Sequence, residues 1–393
     1  MEINYLCGID VSKSSFSIAV KDGSFIIKDR LFEMNRSGFS KFEQLIRGFK
    51  PNIRIGMEST GIYHKNLSNF LKDSGYNTVE IDPYEMWRFF KFTNSKPTTT
   101  DRKSAKTIAE FLEFTKDAFN HKEEPYEDER YSLRHFVREK ERIVQDIAKT
   151  KTEIRRVLGL VFPEIEKYDS IFSKEILTLL SRFPSSRSIC AITYQEFIEQ
   201  ADSILNKGRG RQAKICLKEI YRLACNSIAS EFGVYEELLK IKINRLFFLF
   251  KEKEDITSLI DQIADKFFKR EIEILTSIKG IGRESAIYFM AEIIDIKRFV
   301  HKGRLIGFCG LDPIIKQSGQ FKARLRISKK GNSHARRIAW IMAGCVKKSN
   351  PYFREYYLKK RREGKSYKEA IIATSTKLLR TIYALLWENR CFK

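Results

Sequence analysis

The chain has 393 residues, with 73 Lys and Arg against 50 Asp and Glu, a net charge of +23. Its 42% hydrophobic content suffices for packed cores and argues against wholesale disorder. The length points to two or three domains, and the positive balance to an anionic partner, nucleic acid ahead of a membrane surface.

No apolar run of about 18 residues exists, so a transmembrane helix is not expected, and Met1–Lys13 lacks the basic and long apolar regions of a signal peptide. The seven cysteines are scattered without a CxxC pair, which fits reduced thiols. The five histidines show no HExxH or C2H2 spacing, and there is no Walker A sequence. The charge is concentrated: residues 301–393 carry 23 basic and 5 acidic side chains, or +18, which leaves about +5 for the first 300. So one-sided a segment repels itself unless a polyanion is near.

In chain order, Tyr5–Val11 and Phe16–Val20 read as strands, Lys21-Asp22-Gly23 as a turn and Ser24–Asp29 as a third strand. Ser37–Phe49 has helical spacing, with Phe39, Phe42, Leu45 and Ile46 on one face. Ile53–Met57 is a short buried strand, Gly61–Ser74 a helix and Thr78–Asp82 another strand. Lys96–Thr100 is a polar loop, and Asp101–Phe114 a helix with Asp101 as N-cap. Strands and helices mixed in this way define an α/β domain.

The middle is helical. In Arg134–Val161, Phe136, Ile143 and Val157 form one stripe at multiples of seven. Ile147, Ile154 and Val161 form the second, and Lys140 and Thr150 interrupt the seam. Either the helix packs on its own chain or it forms an intermolecular coiled coil. Residues 170–275 read as all-helical, with a polar loop near Asn206–Arg211 and an apolar stripe Ile256, Leu259, Ile260, Ile263 and Phe267. Lys279, Gly280 and Gly282 lie in a turn between helical patterns 256–277 and 284–294. That turn reads either as a phosphate-facing helix–hairpin–helix element or as a plain connection. A glycine-dotted stretch 303–331 and terminal helices from Ser333 to Trp387 complete the chain. The expected organisation is α/β plus all-α, with domains 1–120, 121–275 and 276–393.

Three acids stand out. Asp10 ends the first strand, Glu58 follows the strand Ile53–Met57, and Asp101 opens a helix. An acid at the end of a buried strand is costly unless it is paired or binds a cation. Magnesium takes hard oxygen ligands, and two such ions can stabilise both oxygens of a phosphodiester exchange. Each acid alone also reads as a cap or a surface group. A second constellation is basic: six cations and no acid between Lys316 and Lys330, with Ser318 beside a glycine. Lys316, Lys322, Arg324, Arg326, Lys329 and Lys330, with Arg336 and Arg337 downstream, are candidate backbone contacts. Ser318 reads either as an ordinary turn serine or as a nucleophile activated by this charge. Trp340, Phe353, Tyr356 and Tyr357 fit a helical core better than base stacking, and His64 and His334 fit structural roles.

Gly8–Lys13, Met57–Tyr63 and Thr100–Ala109 resemble the RuvC-like half of the insertion sequence 110 (IS110) family transposases. Gly280-Ile281-Gly282, Gly307–Pro313, Gln317-Ser318-Gly319 and Arg326–Asn332 resemble its C-terminal half. The resemblance implies an RNase H-type RuvC-like domain with a Mg²⁺ site at Asp10, Glu58 and Asp101, and Ser318 as a nucleophile that forms a phosphoserine link to DNA. It also implies donor and target DNA, a structured guide (bridge) RNA, a homo-oligomer (dimer or tetramer) and a cytoplasmic, nucleoid-associated setting. The family's fourth acid is replaced here by Ser104, which removes a charge from the set. Two other readings follow from the residues: a metal-dependent nuclease that uses water, and a catalytically decayed nucleic-acid-binding protein.

Overall fold

The computed structural model describes residues 4–23, 25–58, 63–81, 83–93, 101–115, 129–167, 171–205, 216–229, 233–314, 317–318, 321–322 and 326–392. The chain divides into two compact units, Met1–Asp128 and Glu129–Lys393.

The first unit holds β1 (Tyr5–Val11), β2 (Ser15–Asp22), β3 (Phe25–Glu33), α1 (Arg36–Ile46), β4 (Ile53–Glu58), α2 (Tyr63–Asp73), β5 (Asn77–Ile81), α3 (Pro83–Thr93) and α4 (Asp101–Phe114). The third strand runs to Glu33, past the expected Asp29, because Ser15–Asp22 offers it a full-length antiparallel partner. The sheet order is β3-β2-β1-β4-β5, with the first three strands antiparallel and β4 and β5 parallel to β1. Alternation along the strands sends side chains to two faces. Cys7, Ile9, Ile55 and Met57 pack with Phe42 and Ile46 of α1 and Leu67 and Leu71 of α2. Leu6 and Ile81 face the other way, against Ile108, Phe111 and Leu112 of α4. On the first face Phe16 meets the rings of Phe32, Phe39 and Phe42 at 5.4–5.9 Å, an arrangement that rigidifies the hairpin against α1.

The second unit holds α5 (Glu129–Val161), α6 (Lys174–Arg182), α7 (Ser186–Cys190), α8 (Tyr194–Leu205), α9 (Leu217–Cys225), α10 (Gly233–Phe267), α11 (Lys269–Thr276), α12 (Arg283–Ile293) and α13 (Lys302–Phe308). The short strands β6 (Pro313–Ile314), β7 (Gln317–Ser318), β8 (Phe321–Lys322) and β9 (Arg326–Ile327) follow, then α14 (Ser333–Ser349), α15 (Pro351–Arg362) and α16 (Tyr367–Trp387). The seam of α5 is occupied within the same chain: Ile143, Ile147, Ile154, Val157 and Val161 pack on Leu239, Ile243 and Leu246 of α10. Lys242 pairs with Glu153, while Leu133 and Val137 share a core with Ile260 and Ala264, so α5 and α10 run antiparallel. Both residues that interrupt the seam are buried, and Lys140 there meets Glu284 of α12 at 2.8 Å. A second core joins α11, α12, α14 and α16.

Gly280 has φ +108°, and a Cβ there would lie 2.9 Å from the Val346 Cα. The glycine turn therefore lets α14 approach closely, while Lys279 and Gly282 are exposed. The expected loops at 96–100 and 206–211 lie outside the described residues. Among those described, no helix is long and apolar enough to cross a membrane.

Candidate active site

Asp10 and Glu58 are brought together by register. Ile9 faces Met57 across the parallel pair β1–β4, so the two acids occupy the next position on strands about 5 Å apart. Both are half-buried. By alternation they point to the face that α4 covers.

Two glycines make that cover close. A Cβ at Gly8 would stand 2.1 Å from the Ala105 carbonyl oxygen, and one at Gly56 would stand 2.9 Å from Leu112. Two ion pairs set the helix direction. Lys106 meets Asp29 at 3.0 Å, level with Gly8, while Glu113 meets Lys21, level with Leu6. The helix thus runs toward the start of β1, and its first turn, Asp101–Ser104, lies on the side of Asp10. The positive end of its dipole favours anions there. Asp101 is the first residue of α4, with its side chain outside the described residues, and Ser104 is half-buried. Among the described side chains no three His, Cys, Asp or Glu cluster as a metal set. Asp10 and Glu58 are nonetheless hard oxygen donors at matched strand ends, which suits Mg²⁺.

On the opposite face, Glu80 of β5 is held by His64, Ser68 and Lys72 of α2 at 3.3, 3.0 and 3.4 Å. These contacts, the His64 hydrogen bond first, lower its pKa to about 2 against the opposing effect of burial. His64 is thereby engaged with Glu80, away from Asp10 and Glu58.

Ser318 lies in the second unit, on an antiparallel arm. At its foot Pro313 pairs with Ile327 and Ile314 with Arg326; farther out Gln317 pairs with Lys322 and Ser318 with Phe321. Lys316 and Arg324 lie outside the described residues, as do the side chains of Ser318, Lys322 and Arg326. The foot is fixed from both sides. Ser328 donates to Asp312 through its amide (2.8 Å) and its hydroxyl (2.6 Å). The Lys329 amide donates to Gly310 and the Asn332 amide to Phe308. Arg336 donates to the carbonyls of Cys309 and Lys329, so its guanidinium holds the foot, and Arg337 pairs with Glu141. Lys329 and Lys330 are exposed beside it.

Sequence reasoning missed the group beneath this foot. Glu292 of α12 is 1% exposed and accepts a two-pronged bond from Arg138 (3.0 and 2.9 Å) and one from Asn332 (2.6 Å). Burial raises its pKa, but the Arg138 and Asn332 bonds and the charges of Arg138 and Arg134 outweigh that and hold it below the ordinary range. The signal was present as a lone acid in the apolar run Ala286–Ile293. Among the aromatic candidates, Phe353 is fully buried, whereas Trp340 is 38% exposed. Lys347 lies between the rings of Tyr357 and Tyr367.

Half-buried carboxylates at paired strand ends form a hard-oxygen donor pair of the kind a divalent cation takes. Comparison with known proteins narrows the class. Residues 7–163 match a DEDD-type IS110 transposase family model, and residues 272–358 match a model described as transposase of the IS116/IS110/IS902 family. The chain is similar to the insertion element IS900 uncharacterized 42 kDa protein of Mycobacterium paratuberculosis, 27% identical over 34% of each chain. It is 28% identical to the insertion element IS116 uncharacterized 44.8 kDa protein of Streptomyces clavuligerus over 30% of each. It is also 30% identical to the pilin gene-inverting protein of Moraxella bovis, over 30% of this chain and 38% of that one. The chain thus spans about a third of the length of the curated relatives it matches. The two family matches, one at each end of the chain, support its assignment to the IS110 family of transposases.

Proposed function

We propose that this chain is a DNA transposase that cuts and rejoins strands through Ser318, assisted by Mg²⁺ at Asp10, Glu58 and Asp101. The observation that carries the reading is the matched register of Asp10 and Glu58 beside the first turn of α4. The sheet order, three antiparallel strands followed by two parallel ones, supports a RuvC-like domain. When bound, the metal supplies charge stabilisation at the scissile phosphate.

The chain's own groups do the rest. Asp10 and Glu58 hold the phosphate's counter-charge at one end of the sheet. Lys322, Arg324, Arg326, Lys329 and Lys330 align the backbone. The Ser318 hydroxyl loses its proton as its oxygen bonds to phosphorus, and the bridging P–O bond to the departing strand breaks, its oxygen taking up a proton. Attack by another strand's hydroxyl reverses the exchange, frees the serine and forms the new strand joint without net hydrolysis.

Because the acids belong to one unit and Ser318 to the other, the reaction requires them to meet within one protomer or across an oligomer. A structured guide RNA would select the DNA by base pairing, with the cationic C-terminal third on both backbones. The test is to incubate the protein with Mg²⁺, the RNA transcribed beside its gene and a duplex carrying the element's ends. Strand exchange is expected; hydrolysed ends alone would favour a water-using nuclease, and binding without cleavage a decayed enzyme.

A further inference from the structure

We propose that Glu292 is a positioning residue: through Asn332 it ties the foot of the Ser318 arm to α5. The inference rests on the reading above that Ser318 is the nucleophile.

Glu292 occupies a helix whose neighbours Ala286, Ile287, Phe289, Met290, Ala291 and Ile293 are all buried hydrophobics. An apolar side chain would pack there without the desolvation penalty of an ion. What the carboxylate supplies is direction. One oxygen accepts from Arg138 Nε, and the other accepts from both Arg138 Nη2 and Asn332 Nδ2. Arg134 reinforces the joint by donating to the Ala291 and Glu292 carbonyls at 3.1 and 3.0 Å.

Asn332 has its remaining groups committed as well. Its Oδ1 caps α14 by accepting from the Ala335 amide (2.9 Å), and its own amide donates to Phe308 (2.7 Å). It therefore cannot turn without breaking the cap or the foot of the arm. Four residues separate it from Ile327, the last residue of β9. At the other end of the joint is α5, whose 33 residues span about 50 Å. A displacement of α5 thus reaches the arm through two side chains.

The test exploits the polarity of the contact. Asn332→Asp keeps a good N-cap but sets a carboxylate against Glu292. Glu292→Gln removes the charge and turns an amide toward Asn332. The pair Glu292→Gln with Asn332→Asp restores one donor and one acceptor with the roles exchanged. Hydrogen exchange is read on the full chain at the Ser328, Lys329 and Asn332 amides, with α9 as internal reference. Strand cleavage is read in single turnover alongside DNA affinity.

Each single variant is expected to speed exchange at the three foot amides and slow cleavage about tenfold or more, with affinity within about twofold. The double variant should recover protection and rate together. Unchanged exchange at the foot in both single variants would overturn the inference, as would a double variant no better than the worse single one. If wild-type protein forms no serine–DNA link, the functional reading falls, while the exchange pattern still decides whether Glu292 holds the arm.

Discussion

Asp10 and Glu58 lie near the ends of two neighbouring parallel strands, one residue past the Ile9–Met57 pair, where backbone pairing fixes their spacing before any ligand arrives. Asp10→Asn and Glu58→Gln should each abolish strand cleavage while thermal unfolding of the protein stays within a few degrees of wild type, since neither is fully buried. Cleavage at wild-type rate in either variant would remove the acids from the mechanism. Glu80 gives a contrasting carboxylate. Its native pKa is about 2 against an ordinary 4.5, so the unfolded chain takes up the proton first as pH falls. Its contribution to stability is complete above 4.5 and is lost as the pH drops toward 2. Urea midpoints followed from pH 5 to 2, about the span of that titration, should fall less steeply in Glu80→Gln than in wild type. Equal slopes would mean that the His64–Glu80 contact adds nothing. Gly8→Ala is a test of close packing: with 2.1 Å to the Ala105 carbonyl, the added methyl must push α4 off the sheet. A loss of about 1–3 kcal/mol in chemical denaturation is expected, with cleavage impaired because Asp101 moves with its helix.

At the scale of elements, α5 shows what periodicity can and cannot reveal. Its two stripes at sevens are plain in the sequence, and so is their burial, because a 3.5-residue repeat must face something apolar. Which partner fills the seam was not legible, since α10 begins 72 residues after α5 ends and only the folded chain shows Glu153 meeting Lys242. Lys140 looked like a flaw in the stripe; it is a buried cation whose partner, Glu284, is itself mostly exposed. Removing the two members should therefore differ. Glu284→Gln leaves an ammonium buried without its counter-charge and should cost more stability than Lys140→Met, which replaces it with a methylene chain of similar length. Equal losses in urea titrations of the two variants would contradict this. The acids were legible because a polar residue at the end of an apolar run is conspicuous. The arm's foot was not: Asp312, Ser328 and Asn332 look like ordinary loop residues, and Arg336 like a nucleic-acid contact, until hydrogen bonds close between segments that the sequence keeps apart.

Over the whole molecule, charge and chemistry are divided between the parts of the chain. The first 300 residues are nearly balanced and hold the acids; the last 93 carry +18 and hold Ser318. Packing accounts for some of that excess, as Arg336 and Arg337 are spent on the protein itself. The remainder should dominate binding. DNA affinity should fall steeply and linearly in a log–log plot against salt, and Lys322→Ala with Arg324→Ala should reduce the slope by about one phosphate contact each. A slope unaffected by those changes would place the backbone contacts elsewhere on the C-terminal surface. The most direct test of the central claim is covalent. The reaction is stopped with denaturant, the protein is digested, and the peptide containing Ser318 is searched by mass spectrometry for an attached nucleotide. The account predicts a phosphoserine link at Ser318 that is absent in Ser318→Ala and in Asp10→Asn. Strand joining that persists in Ser318→Ala, or a link mapped to another residue, would contradict it.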